Sequence, residues 1–204
     1  MQNFKNMKTK FLIVTFLISI STLITAQKLD NDLKIKDVKD ALEMAGFNIF
    51  KYDFGNIEPG HLLTVYIEEL IQDTVFSSKE MRFMPVQEGS GKENIMKIIA
   101  RQEDSKSESF IIKFLFPTMI NQSPIEIQED YRSEHIWMPF EEGEVAYEEK
   151  TPILLYGAMW EDELPSGMKI KRFCWGTTLK RDMSNEELDN IEHMFVISYK
   201  LTKM

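Results

Sequence analysis

The chain has 204 residues, 28% of them charged, with 33 acidic against 24 basic side chains and a formal net charge of −9. That balance repels nucleic-acid phosphates and anionic lipid headgroups, and so argues against nucleic acid and membrane surfaces as partners. A single cysteine excludes an intramolecular disulfide, leaving stability to a packed core.

Residues 7–26, MKTKFLIVTFLISISTLITA, place a basic head (Lys8, Lys10) before an apolar run from Phe11 to Ile24, with the small residue Ala26 ahead of a polar segment. This order predicts a secretory signal peptide cleaved after Ala26. The run is too short, and too often interrupted by Thr and Ser, for a comfortable membrane span. Cleavage takes 26 residues and three lysines (Lys5, Lys8, Lys10) from a 204-residue chain at −9, leaving 178 residues at −12. The expectation is an exported protein of the periplasm or outer surface with no integral span after cleavage. It is not a lipoprotein, since Cys174 lies far from the first mature position. The signal, ending Thr25-Ala26-Gln27, resembles those of small exported proteins of unknown function from Bacteroidota-type Gram-negative bacteria. The resemblance covers the first 27 residues and implies a compartment, not a functional residue.

After the signal, Ile35, Val38, Leu42 and Ala45 recur at helical spacing, with Asp32 as a cap and Gly46 as the stop. The period then changes to two. Asn48–Phe54 reads as a strand, and Leu62–Ile71 as another, with Leu63, Val65 and Ile67 on one face. Thr74–Phe76 and Met81–Met84 read as short strands around a Ser77-Ser78-Lys79 turn. Ile95–Arg101 and Ser109–Phe116 form the clearest hairpin. Both faces of its second arm are apolar, which predicts a strand covered on both sides. Residues 118–150 are irregular, with short strands at Glu134–Phe140 and Val145–Tyr147. Pro152–Trp160 and Met168–Thr178 read as a second hairpin about Leu164-Pro165-Ser166-Gly167. Ser184 and Glu187 carry a capping-box spacing that opens a short helix with Leu188 and Ile191 inward. Met194–Leu201 closes the chain as a strand. Nine or ten strands with a helix near each end predict one mainly β domain over residues 27–204, an antiparallel β-sandwich or an α+β relative of it.

Several motifs fail on their chemistry. Cys174-Trp175 lies in a β-period segment with no helix dipole to lower the thiol pKa, so a buried small hydrophobe is expected there. His61, His135 and His193 occur singly, without metal-ligand spacing, so no metal or cofactor is expected. Gly89-Ser90-Gly91-Lys92 lacks the first glycine and the Ser or Thr of a phosphate loop. Asp30-Asn31-Asp32 lacks the later ligands of a calcium loop.

The acidic stretch from Glu126 to Glu149 and the cluster Glu161-Asp162-Glu163 read first as solvated surface. Aromatic residues fall in or beside strands in the same region. Rings on a sheet face stack on the apolar faces of sugars, and neighbouring carboxylates accept sugar hydroxyls; core filling is the competing role. The ligand-contacting candidates are Tyr131, His135, Trp137, Tyr156 and Trp160, and no catalytic residue is assigned. The functional expectation is an exported, non-enzymatic binding or accessory module of the cell envelope, with a glycan or an envelope protein as partner. The alternatives are a secreted hydrolase using paired carboxylates within 126–163, and a structural subunit of an envelope assembly.

Overall fold

The computed structural model describes residues 34–86, 93–102, 108–132, 134–172 and 178–204. The expected signal peptide, Asp30-Asn31-Asp32, the 89–92 loop, Cys174 and Trp175 lie outside the described residues. The chain falls into two compact units, Met1–Val38 and Lys39–Met204.

Helix α1, Ile35–Met44, ends as its sequence predicts. The Ala45 amide donates to the Ala41 carbonyl at 3.0 Å, and Gly46 follows in the left-handed region at φ +79°. A side chain there would also collide, because an added Cβ lies 1.8 Å from the Gln102 carbonyl oxygen. Val38 and Leu42, two positions of the helical apolar spacing, are exposed.

The second unit is mainly β and antiparallel. Strands β1 (Phe47–Asp53), β4 (Ile95–Arg101), β5 (Ser109–Phe116) and β6 (Met119–Glu126) make a four-stranded sheet in the order β1-β4-β5-β6. Strands β2 (His61–Ile71), β3 (Thr74–Phe83), β7 (His135–Pro139), β8 (Thr151–Ala158) and β11 (His193–Lys203) make a five-stranded sheet, β3-β2-β11-β8-β7. Strands β9 (Trp160–Glu163) and β10 (Lys169–Arg172) form a separate ribbon.

The two large sheets face each other across one core. Met96, Ile98, Phe110, Ile112 and Phe114 from the first meet Leu63, Val65, Ile67, Leu154, Phe195 and Ile197 from the second. This is the expected sandwich. The far face of the five-stranded sheet is covered as well: Leu70, Leu155, Met194 and Val196 pack with Leu179, Leu188 and Ile191. Strand β8 is buried at every position, and β11 at all but its last residues. Pro152 is tolerated in the interior strand β8 because the ladder to β11 shifts register there, between Ile197 and Ser198.

The structure corrects several expectations. Residues 74–83 form one strand, not two; Ser77, Ser78 and Lys79 pair with Glu69, Glu68 and Ile67 along β2. Residues 119–126 are a strand that the sequence pattern conceals, an edge strand and so tolerant of Pro124. Val145–Tyr147 is not a strand. The second hairpin joins Trp160–Glu163 to Lys169–Arg172, whereas residues 151–158 pair with β7 and β11. The helix after Ser184 is a 3-10 turn, Glu186–Asn190, preceded by Asn185, although Leu188 and Ile191 are buried as predicted. Strand β5 is buried on one face; on the other, Ile111 is exposed.

Candidate functional site

Alternation along β2 puts Leu63, Val65 and Ile67 inward, and Glu69 shares their phase. A carboxylate on a core face needs donors, and three converge on it. Its Oε2 accepts from the Ser77 hydroxyl at 2.8 Å, and its Oε1 accepts from Gln128 Nε2 at 3.3 Å and His193 Nε2 at 3.0 Å. His193 Nδ1 lies 3.0 Å from His135 Nε2, which extends the chain to Glu69–His193–His135. All three side chains are buried, His193 completely.

The proton positions follow from chemistry. Glu69 only accepts, so His193 Nε2 carries hydrogen. Burial pushes the His193 imidazole below its ordinary pKa, against the opposing pull of Glu69, so the ring is neutral at pH 7. Its Nδ1 therefore has a lone pair, and His135 Nε2 donates to it.

Aromatic rings enclose this chain. Tyr131, on the 3-10 turn Glu129–Tyr131, stacks on His193 with centroids 4.9 Å apart and planes 8° from parallel. Tyr156 stacks on His135 at 5.0 Å and on Trp137 at 4.4 Å, and its hydroxyl donates to Gln102 Oε1. Trp137 also meets Phe50 and Phe110. Its indole fills the end of the core between the sheets.

Tyr131, stacked over the buried His193, lines a cleft of about 740 Å3, walled by the β2–β3 turn, the β8–β9 junction and the segment leading into β11. Trp160 stands in its wall with Asp73, Asp130, Glu161, Asp162, Asp189 and Glu192, and with Arg132. Two of these carboxylates have cations beside them, Glu161 with Lys169 and Asp162 with Arg172.

A second cleft, about 530 Å3, adjoins β1 and the β7–β8 connection. Its cation is already committed: Arg181 donates to the carbonyls of Glu141, Gly143 and Glu144 and to the Tyr52 hydroxyl. Burial, and then the neighbouring Tyr199, push the Tyr52 hydroxyl far above its ordinary pKa, which keeps it neutral. This arrangement clamps the acidic loop in place.

Of the five sequence candidates, Tyr131 and Trp160 come together in the larger cleft. His135 and Tyr156 lie behind it, buried at 4% and 1% exposure, and present no face to a sugar ring. Trp137 is half-buried in the core. Sequence reading missed Glu69, Ser77, Gln128 and the role of His193. The phase of Glu69 with Leu63, Val65 and Ile67 was the available signal. Among the described residues, no group of three or more His, Cys, Asp or Glu side chains is arranged to hold a metal ion. No described helix is long and apolar enough to cross a membrane.

Comparison with known proteins adds a family. No curated protein and no solved structure matches the chain. Residues 20–203 match the family described as "Domain of unknown function (DUF5041)". That match spans nearly the whole sequence, both large sheets and the cleft between Tyr131 and Trp160: the chain belongs to the DUF5041 family.

Proposed function

We propose that this protein is an exported, non-enzymatic binding module of the cell envelope, and that its ligand is a glycan held in the Tyr131–Trp160 cleft. The observation that carries this reading is the pairing of two half-buried aromatic rings with a carboxylate rim around one concavity of about 740 Å3. Aromatic faces take the apolar C–H faces of sugars, and carboxylates accept sugar hydroxyls, so the chemistry is complementary in both its apolar and its polar parts. Glu161 and Asp162 are paired with Lys169 and Arg172, and Arg132 with Glu108. The remaining lining carboxylates, Asp73, Asp130, Asp189 and Glu192, favour a neutral or amino sugar over a uronic or phosphorylated one. Export rests on the n-region, h-region and Ala26 of residues 7–26.

The test is a thermal-shift screen against neutral, amino and acidic oligosaccharides and divalent cations. A ligand bound only by the folded state raises the melting temperature with its concentration. A dose-dependent rise with a neutral or amino glycan, lost in Trp160→Ala and without new reducing ends, is expected. A rise only with acidic sugars, or one that survives Trp160→Ala, contradicts the assignment. Release of new reducing ends would convert the module into the carboxylate hydrolase.

A further inference from the structure

The outer face of the four-stranded sheet has a composition unlike the rest of this acidic chain. Cross-strand partners in an antiparallel ladder project to the same side, so the register gives the face row by row. The first row is Phe47, Arg101, Ile111 and Pro124; the second is Ile49, Ile99, Lys113 and Gln122; the third is Lys51, Lys97, Leu115 and Ile120. Inward partners such as Phe50–Ile98 and Phe110–Ile125 are buried or half-buried, which confirms the parity.

This face carries four cations among isoleucines. Ile49, Ile111 and Ile120 are 45%, 43% and 61% exposed, a large apolar content for a surface with no cover among the described residues. The acids on it are Asp53 and Glu126, at opposite ends, and the Asp53 carboxylate already accepts the Gly55 amide. Some cations elsewhere are matched, Lys150 with Glu68, Lys171 with Glu134 and Arg172 with Asp162, whereas others, such as Lys180 and Lys200, have no ion pair with a described residue. What distinguishes this face is four cations set together among isoleucines. Lys51, Lys97 and Lys113 form no ion pair with a described residue, and Arg101 sits over the Phe47 ring at 5.3 Å. Lys51 and Lys97 stand directly opposite each other across β1 and β4. Like charges in that position destabilise a sheet, so the pair costs the free protein stability that an anion would restore.

We propose that this face docks on an anionic phospholipid surface, with Lys51, Lys97, Arg101 and Lys113 meeting headgroup phosphates and Ile49, Ile111 and Ile120 entering the interfacial layer. Lysines set among isoleucines on one face suit a plane that is wet and charged on one side and oily on the other, because the long stem of lysine can cover apolar surface while its ammonium stays in water. A nucleic acid would use the cations and leave the isoleucines in water. Protein interfaces are depleted of lysine at their cores, where this face concentrates it. The net negative charge of the chain does not forbid the contact. Screening over about 8 Å at physiological salt lets the local patch act on its own. The proposal is independent of the glycan cleft, which is built from other strands.

Flotation of the purified full chain with vesicles of phosphatidylcholine, with and without phosphatidylglycerol, tests it. Binding is expected to increase with phosphatidylglycerol. It is expected to fall between about 0.1 M and about 1 M salt, as the screening length shrinks from ~10 Å to ~3 Å. Lys51→Glu with Lys97→Glu should weaken binding about tenfold or more, and the corresponding glutamine pair less. Lys180→Glu with Lys203→Glu makes the same change in net charge elsewhere and should leave binding intact. The apolar N-terminal residues are common to all variants, and a cooperative melting transition in each confirms that it folds, with the glutamine pair expected to melt somewhat above the wild type as the opposed charges are removed. Equal binding to neutral vesicles, no binding to anionic ones, or equal loss in both charge-reversed pairs would overturn the proposal. So would retention of the wild-type affinity by the Lys51–Lys97 pair.

Discussion

Glu69 is tolerated in the core because both of its oxygens are occupied, by Ser77 on one side and by Gln128 and His193 on the other. Glu69→Ala leaves those donors without an acceptor, and a buried unsatisfied polar group costs about 1–3 kcal/mol. A lower denaturant midpoint is expected, with a far-UV spectrum unchanged at low denaturant. His193 carries a pH dependence whose sign follows from the direction of its shift. Its folded pKa is lowered, mainly by burial, below the unfolded value of about 6.5. Above about pH 6.5 neither state takes the proton and stability is complete. As the pH falls below that, the unfolded chain binds a proton that the native ring refuses, and stability declines toward the folded pKa. The slope cannot exceed about 1.4 kcal/mol per pH unit for one proton. Urea midpoints of the wild type should fall on acidification from about pH 7 to about pH 5, and those of His193→Gln should fall less steeply. Parallel curves would assign the acid sensitivity to other groups.

Among the elements, protection should follow enclosure. Strands β8 and β11 are interior to their sheet and covered on both faces, whereas the β9–β10 ribbon is a pair of four-residue strands with few buried side chains. Amide exchange is expected to be slowest in β8 and β11 and fastest in the ribbon. The reverse order would place the stable centre in the wrong sheet. Gly46→Ala tests the join between α1 and β1. The left-handed φ and the 1.8 Å approach of a Cβ to the Gln102 oxygen predict a loss of more than about 1 kcal/mol, read from the melting curve. Elements held by local pattern were legible in the sequence: α1 with its glycine stop, the alternation of β2, the β4–β5 hairpin and the Gly167 turn. Elements whose cause is remote were not. The polar run Asn121-Gln122-Ser123 hides β6 because an edge strand is allowed to be polar, and Ser77-Ser78-Lys79 imitates a turn because β3 is mostly exposed. Partner choice was equally hidden. Strand β8 pairs with β7 and β11, and nothing within residues 151–178 specifies that.

At the scale of the molecule, a net charge of −9 conceals a division. Carboxylates gather around the Tyr131–Trp160 cleft, and lysines without an ion pair to a described residue gather on the outer face of the four-stranded sheet. Composition reports the sum; only the register and strand order separate the two surfaces. The site was legible to the same partial degree. The aromatic content of residues 131–160 pointed to the right region, but the order β2-β11-β8-β7 is what buries His135 and Tyr156 and brings Tyr131 to Trp160. The central claim is that the cleft takes the ligand, and Trp160 reports on it directly. The measurement is tryptophan emission during titration with the glycan that gives the largest thermal shift, in the wild type, Trp160→Phe and Trp137→Phe. A spectral change present in the wild type and in Trp137→Phe, and absent in Trp160→Phe, is the predicted result. A change that persists in Trp160→Phe and disappears in Trp137→Phe would contradict the account and move the ligand to the end of the core.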